Sequence, residues 1–413
     1  MAEIKNPLIV VQSGGGGGGS TSDDVRFIDY DGTIITQMSI AEAQALTELP
    51  EGPVHDIIAF DGWTHTLEEV NATTRKMDIG ATYVSRNDER ETIIKVRPGA
   101  QNATVAVNFT QDTERGVEID WGDNTTPETF SGTGATINAS HTYASPTFTG
   151  DPVYIRILPG KNVALELEVK QSNYIGVLLG ECTLSGLGSQ NISGGALMYL
   201  IVSKYMGTDT IWMQGASVVA VIIPPEVILE KLAMANCAML QYAVAPKVKE
   251  LGFVGSAAIR RVIIPDGTLR LYGTSQSRGA FNGCKALKEI VMNEDVQSFD
   301  ERCFNQIVLE EITFPTSVTT MPNEMIRSGV MLRMISKDRS AMPTTGSGAF
   351  LATNASFGPI ILDFTDCKQV PTLDSAFLGN YTNYYLIHVP ASLETQWKAA
   401  SNWNQYSSII IGV

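Results

Sequence analysis

The sequence predicts a mainly β protein: a small α+β domain at the N-terminus, then a β-sandwich, then a solenoid of short coils carrying a parallel sheet. Three observations point there. One phrase returns along the second half of the chain, and its strand openings at 221, 243, 262, 290, 312 and 334 lie 22, 19, 28, 22 and 22 residues apart. Period-two alternation of apolar residues recurs across residues 98–170, and a strand, a capped helix and further strand patterns occupy residues 23–97.

The chain opens on an apolar peptide, residues 1–12, in which Ile4, Pro7, Leu8, Ile9, Val10 and Val11 are the candidate anchor residues. Residues 13–22 follow as a linker with six consecutive glycines, Gly14 to Gly19, a composition that behaves as flexible coil. Such a peptide is expected to dock on a larger assembly, with the glycines as a swivel. Its apolar run, Leu8 to Val11, is shorter than a signal peptide requires. No later stretch reaches membrane-spanning length, so synthesis and folding in a cytoplasm are expected.

In residues 23–97, Val25, Phe27 and Asp29 alternate as a strand would before the Asp31-Gly32 turn. Ser39 precedes Ile40-Ala-Glu-Ala-Gln-Ala-Leu46 with Glu42 three places on, a capping-box signature for a short helix. Phe60-x-Gly62-Trp63 and a last strand from Thr92 to Val96 complete the set. This order resembles the small β-grasp-like repeats of bacterial surface proteins. Phe27-Ile-Asp29-Tyr-Asp31-Gly-Thr33 also resembles the D-x-D-G-T motif of haloacid-dehalogenase-type phosphatases, in which the first Asp attacks phosphorus beside magnesium. That chemistry needs a doubly wound fold of alternating strands and long helices, whose pattern does not follow here. Asp-Gly is equally a hairpin turn, and that reading is preferred.

Residues 98–170 read as all-β. Thr104 to Phe109, Val117 to Asp120 and Val153 to Ile157 alternate. Trp121-Gly122-Asp123, followed by His141-Thr-Tyr143, resembles the polycystic-kidney-disease (PKD) type of immunoglobulin-like domain. Asn124 stands where that family has a second glycine, and Asn tolerates the left-handed turn. The resemblance implies a spacer or adhesion module with His141 as a packing and hydrogen-bonding residue.

Residues 171–390 are the solenoid. The fullest copy of the phrase is Phe281-x-x-Cys284-x-x-Leu287-x-x-Ile290-x-Met292. Phe253 to Pro265 and Trp212 to Pro224 repeat it, as do Met234 to Pro246 and Met325 to Ser336. The slots Phe304, Leu309, Ile312 and Phe314 keep it with a deletion, and Phe377, Tyr384, Ile387 and Val389 with an insertion. A period of 20 to 30 residues is one coil of a leucine-rich type of stack, and a coil buries its apolar side only against its neighbours. The proline after each strand cannot donate to a ladder and starts the turn. Cys284, Cys237 and Ser256 share one slot, where a small residue packs inside the turn. Ile175 to Leu179 and Leu197 to Val202 read as weakly matching first coils.

The phrase resembles the BspA-type leucine-rich repeats of bacterial and phage surface proteins, over roughly the last half of the chain. Residues 391–413 look like the terminal cap of that family. Leu393, Trp397, Ala400 and Trp403 would share a helical face over the last coil, and Ile409 to Ile411 would add a strand.

The chain carries 413 residues with a net charge of −15, which argues against nucleic acid and against an anionic membrane as partners. Five cysteines without a C-x-x-C pair suggest neither a disulfide framework nor a zinc site, and free thiols imply folding in a reducing compartment. The four histidines are scattered, and no H-E-x-x-H, G-x-S-x-G or Walker loop occurs. No enzyme and no cofactor are therefore expected. The layout fits a bacteriophage virion appendage, docked by its N-terminus on other virion proteins and binding a host-surface glycan or protein. A homotrimer is compatible, although no heptads demand one. A cell-surface adhesin of the same repeat family and a purely structural capsid decoration protein are the alternatives. Candidate contact residues are the outward strand positions Arg261, Ile263, Val291, Thr313, Arg333 and His388.

Overall fold

The computed structural model describes residues 24–98, 103–111, 116–144, 151–158, 163–166, 174–185, 192–193, 197–207, 209–273, 279–326, 330–346, 349, 359–373, 378 and 382–413. The anchor residues Ile4 and Pro7 to Val11, the glycine run, Ser328 and Phe377 lie outside these residues.

The N-terminal unit comprises β1 (Val25–Ile28), β2 (Ile34–Met38), α1 (Ile40–Gln44), β3 (Ile58–Trp63), α2 (Leu67–Asn71) and β4 (Met77–Ser85). Its sheet runs β2-β1-β4-β3, with β1 and β4 parallel at the centre. Gly32, at φ 91, makes the β1–β2 turn. Helix α1 starts on the expected Ser39–Glu42 capping box, and α2 starts on a second one, Thr66–Glu69. Asp29 is committed to structure. Its carboxylate accepts from the Tyr83 hydroxyl at 2.6 Å and lies 3.1 Å from His55 Nε2, while Asp31 accepts from the Thr33 amide in the turn.

Next come β5 (Thr92–Val96), β6 (Ala103–Gln111), β7 (Val117–Asp120), β8 (Glu128–Phe130), β9 (Ile137–Tyr143), β10 (Val153–Leu158) and β11 (Val163–Glu166). Strand β5 was expected to close the N-terminal unit. It instead pairs with β10, because Ile94 and Val96 point into the sandwich core beside Val107, Ile119 and Trp121. The break expected at residue 97 therefore falls inside a sheet. One sandwich sheet runs β5-β10-β7-β8 and the other β9-β6-β11. Trp121 stacks on His141 at a 5.2 Å centroid distance, His141 Nε2 lies 2.9 Å from Asp123 Oδ2, and the Tyr143 hydroxyl donates to the Trp121 carbonyl. Asn124 takes φ 65, as the missing glycine would.

The solenoid follows. Its early strands are β12 (Tyr174–Leu179), β13 (Cys182–Ser185), β14 (Ile192–Ser193), β15 (Tyr199–Val202), β16 (Thr210–Gln214), β17 (Ala220–Ile222), β18 (Leu229–Ala235), β19 (Tyr242–Val244) and β20 (Val248–Gly252). Then come β21 (Arg261–Ile263), β22 (Arg270–Leu271), β23 (Glu289–Val291), β24 (Ser298–Phe299), β25 (Val308–Phe314), β26 (Thr320–Met321), β27 (Val330–Ser336) and β28 (Thr344–Thr345). Strands β29 (Ile360–Asp363) and β30 (Tyr385–Val389), helix α3 (Glu394–Ala399) and β31 (Ile410–Gly412) end the chain. The front face is a succession of parallel ladders, β12-β15-β17-β19, β21-β23 and β25-β27-β29-β30-β31. The back face carries β14-β16-β18-β20-β22-β24 and β26-β28.

Sandwich and solenoid are continuous. Strand β5 pairs antiparallel with β12, and β11 pairs parallel with β13, so both sandwich sheets extend into the stack. One hydrophobic core runs from Ile94 to Ile410. The sandwich thus seals the first coil, which would otherwise present an open apolar end.

Inside the coils, Phe253, Phe281 and Phe304 stack with centroids 6.0 and 5.9 Å apart. The shared small slot has a polar duty as well: Cys284 Sγ lies 2.9 Å from the Phe253 carbonyl and Ser256 Oγ 3.3 Å from the Met234 carbonyl, each one coil back. Two expected slots shift by one residue. Met213 lies opposite Met234 and is fully buried, so Trp212 faces partly outward; the ladder register sets this, with one residue fewer before β17. Likewise Tyr385 points inward with Ile387 and Val389, as period-two alternation requires, and Tyr384 is exposed. The cap also departs from one continuous helix: α3 stops at Ala399, and a turn with Asn402 at φ 63 brings Trp403 within 4.5 Å of Trp397. Strand β31 pairs parallel with β30.

Candidate binding surface

In a coil strand, residues two apart share a face. Val221, Val262, Ile290, Ile312 and Leu362 fill the core, so their neighbours point out from the front sheet. One outward row is set by the pairings Leu178–Ile201, Ile201–Ile222 and Ile222–Val244. Farther along, the corresponding row holds Ile263, Val291, Thr313, Ile335, Asp363, His388 and Ile411. A second row holds Arg261, Glu289, Glu311, Arg333, Ile361 and Leu386.

The N-terminal unit sits on the first part of this face. Strand β4 lies against β12, β15, β17 and β19. Leu178 and Ile201 belong to the N-terminal unit's own core, beside Val25, Phe27 and Ile79. Two glycines approach the front face closely: a Cβ at Gly80 would meet Ile222 Cδ1 at 3.0 Å and Val244 Cβ at 3.3 Å, and one at Gly32 would meet Tyr242 Cδ2 at 2.6 Å. Polar groups secure the far edge of the cover. Arg75 donates to the Ile264 carbonyl and pairs with Asp266, and Lys76 pairs with Glu289 at 2.5 Å. Near β12, Lys204 pairs with Asp61, and the Tyr205 hydroxyl donates to Glu89.

This cover divides the six expected contact residues. Arg261 is withdrawn from solvent, with Nη2 donating to the Asp24 carbonyl at 2.8 Å and lying 3.5 Å from Asp78, because the N-terminal sheet ends over it. It is not open to a ligand on the sheet face. Ile263 is half-buried at the edge of the cover. Val291, Thr313 and His388 are half-buried and Arg333 is exposed, all beyond the unit's edge. Arg333 Nε donates to Asp363 at 2.6 Å, and its Nη1 lies 3.8 Å from Glu311. Burial would raise the Asp363 carboxyl, but hydrogen bonds from Thr365 and Arg333 outweigh it and hold it below the usual carboxylate range. The distal face is thus a pre-ordered mixture of aliphatic and charged side chains.

Where the cover ends, a cleft of about 470 Å³ opens between the two parts. From the N-terminal unit Thr74, Arg75 and His65 line it, and from the solenoid Gln241, Val244, Lys247, Ile263 and Asp266. Burial lowers the His65 pKa below its ordinary value, so the ring is neutral at pH 7. Sequence reasoning missed these residues. Pro246-Lys247 and Pro265-Asp266 are recognisable as turns after strands, but nothing local says that another domain faces them.

Residues 247–366 match the BspA type leucine rich repeat region, in six copies. The matched stretch holds the distal cleft wall and the open front strands through β29. No curated protein matches the chain.

Proposed function

We propose that the chain is a non-catalytic recognition protein whose solenoid binds a glycan or protein on a host cell surface. On this reading it is a bacteriophage virion appendage, and residues 1–12 dock it on the particle. The observation that carries the recognition role is the distal front face. Six BspA-type repeats hold a rigid parallel sheet, and Val291, Thr313, Ile335, Arg333, Ile361 and His388 lie on it beyond the N-terminal unit. A rigid repeat face lowers the backbone-ordering cost of binding. PKD-like residues 98–170 then serve as a spacer that also seals the stack.

The virion assignment draws on the cysteines. All five are free and buried, the state of a chain folded in a reducing compartment. That favours assembly in a host cytoplasm over a secreted adhesin. Among the described residues, no group of three or more His, Cys, Asp or Glu side chains is placed to hold a metal. Asp29 and Asp31 are bound into a turn and a Tyr83–His55 cluster, which supports a structural role for the phosphatase-like motif.

The test is a pull-down from virions and from host envelopes with the full chain and with a chain lacking residues 1–22. Enrichment on virions by the full chain alone, with envelope binding by both, supports the proposal. Binding to virions only would make the protein a decoration subunit. Binding to neither removes both readings.

A further inference from the structure

The cleft under the edge of the N-terminal unit is chemically unlike the open sheet beside it. Its volume of about 470 Å³ falls within the usual span of small-ligand sites, about 300 to 1,000 Å³. Its apolar lining on the solenoid side includes Val244, Ile263, Pro246 and Pro265. Two of the cations around it are paired, Arg75 with Asp266 and Lys76 with Glu289, and Arg261, 3.5 Å from Asp78, shares that carboxylate with Arg26 and donates to the Asp24 carbonyl. The Glu69 carboxylate, at the rim, is turned into its own helix cap on Thr66.

Three side chains differ. The Thr74 hydroxyl, the Gln241 amide and the Lys247 ammonium line the cleft, and none has a side-chain partner among the described residues. An apolar lining together with a hydroxyl, an amide and an unpaired cation matches one ligand chemistry well. A sugar ring offers an apolar C–H face and hydroxyls that need both donors and acceptors. The Lys247 ammonium adds a local preference for negative charge on that sugar, which acts against the chain's net charge of −15.

We propose that this composite cleft binds an anionic saccharide, a sugar bearing a carboxylate or a phosphate. The ring lies on Ile263, Lys247 receives the charged group, and Gln241 and Thr74 hydrogen-bond the hydroxyls. The inference rests on the recognition reading above, and it places a ligand where two parts of the chain meet rather than on the open sheet.

The test is calorimetric titration of the full chain with three probes: a glucuronate-containing hexasaccharide, mannose 6-phosphate and neutral maltohexaose. Saturable binding of an anionic probe and none of maltohexaose is expected, and the two anionic arms separate carboxylate from phosphate. Lys247→Glu should weaken that binding by more than about tenfold, the size of one lost charge-assisted contact, and Gln241→Ala by less. Both residues are exposed, so the variants should keep the wild-type melting temperature. Binding of neither anionic probe, or wild-type affinity in Lys247→Glu, overturns the cleft. Envelope binding separates the two ideas. If it fails in Thr313→Glu on the open face and survives Lys247→Glu, while no anionic probe binds in the titration, recognition stands and the cleft falls. If an anionic sugar binds in the titration but the wild-type chain binds no envelope, the cleft stands and the host-recognition reading falls.

Discussion

The two halves of the front face share one backbone plan and differ in what lies on top. In the proximal half the outward residues are Leu178, Ile201, Ile222 and Val244, between 0% and 5% exposed, under the N-terminal unit. In the distal half the same row reads Val291, Thr313, Ile335, Asp363 and His388; Asp363 is buried against Arg333, but the other four are half-buried with no such cover among the described residues. Pointing outward in a solenoid is therefore not the same as facing solvent. The residue types carry the distinction: an unbroken aliphatic row marks a buried contact, and its interruption by Thr313 and His388 marks the open surface.

The largest expected effect tests whether the two halves share one core. Phe281 is fully buried and stacked between Phe253 and Phe304, so Phe281→Ala should cost about 3–5 kcal/mol in urea unfolding. Both halves and the sandwich should lose structure together. An isolated loss in the distal coils would show that the halves fold separately.

A smaller effect should be confined to the covered half. Gly80→Leu forces a side chain against Ile222 and Val244 and is expected to destabilise by about 1–3 kcal/mol. Faster proteolysis near Ile222, with the distal strands still protected, would report the lifted unit. Uniform loss of protection would mean that the contact is not a separate one.

Acidification probes the polar groups. In Asp123 of the sandwich, burial acts upward, but hydrogen bonds from Thr125 and His141 prevail and keep the carboxyl low. Asp363 of the distal face is depressed as well. A folded-state pKa below the unfolded one contributes stability that is fully present above about pH 3.9 and lost as pH falls through the folded value. Urea midpoints should therefore drop below pH 4, and less steeply in Asp363→Asn than in the wild type. A midpoint that rises on acidification would contradict the assignment. The smallest effect belongs to Thr313→Glu, on the open sheet, which should leave stability within about 0.5 kcal/mol.

The coil architecture was readable because each coil repeats a physical demand: an aromatic for the stack, a small donor for the preceding carbonyl, a proline to end the strand. Where a coil loses a residue, pattern alone misplaces it, as with Trp212 for Met213. The capping boxes were legible in principle, and Thr66-x-x-Glu69 shows the same signature as Ser39-x-x-Glu42. The role of β5 was not, because Ile94 and Val96 alternate equally well for either neighbour. Docking of the N-terminal unit joins Gly80 to Ile222 and Val244 across long sequence separations, which no local period encodes. The aliphatic row Leu178, Ile201, Ile222, Val244 was the available hint, and it argued against Arg261 as a free contact.

The most direct measurement is thiol labelling of two single variants, Ile222→Cys and Thr313→Cys, in the native full chain. The five native cysteines are buried, so background reaction with a maleimide is expected to be slow. Thr313→Cys should label quickly, and Ile222→Cys should stay protected until the chain is unfolded in urea. Equal, rapid labelling at both positions would contradict the covered proximal face, and with it the division between the two halves.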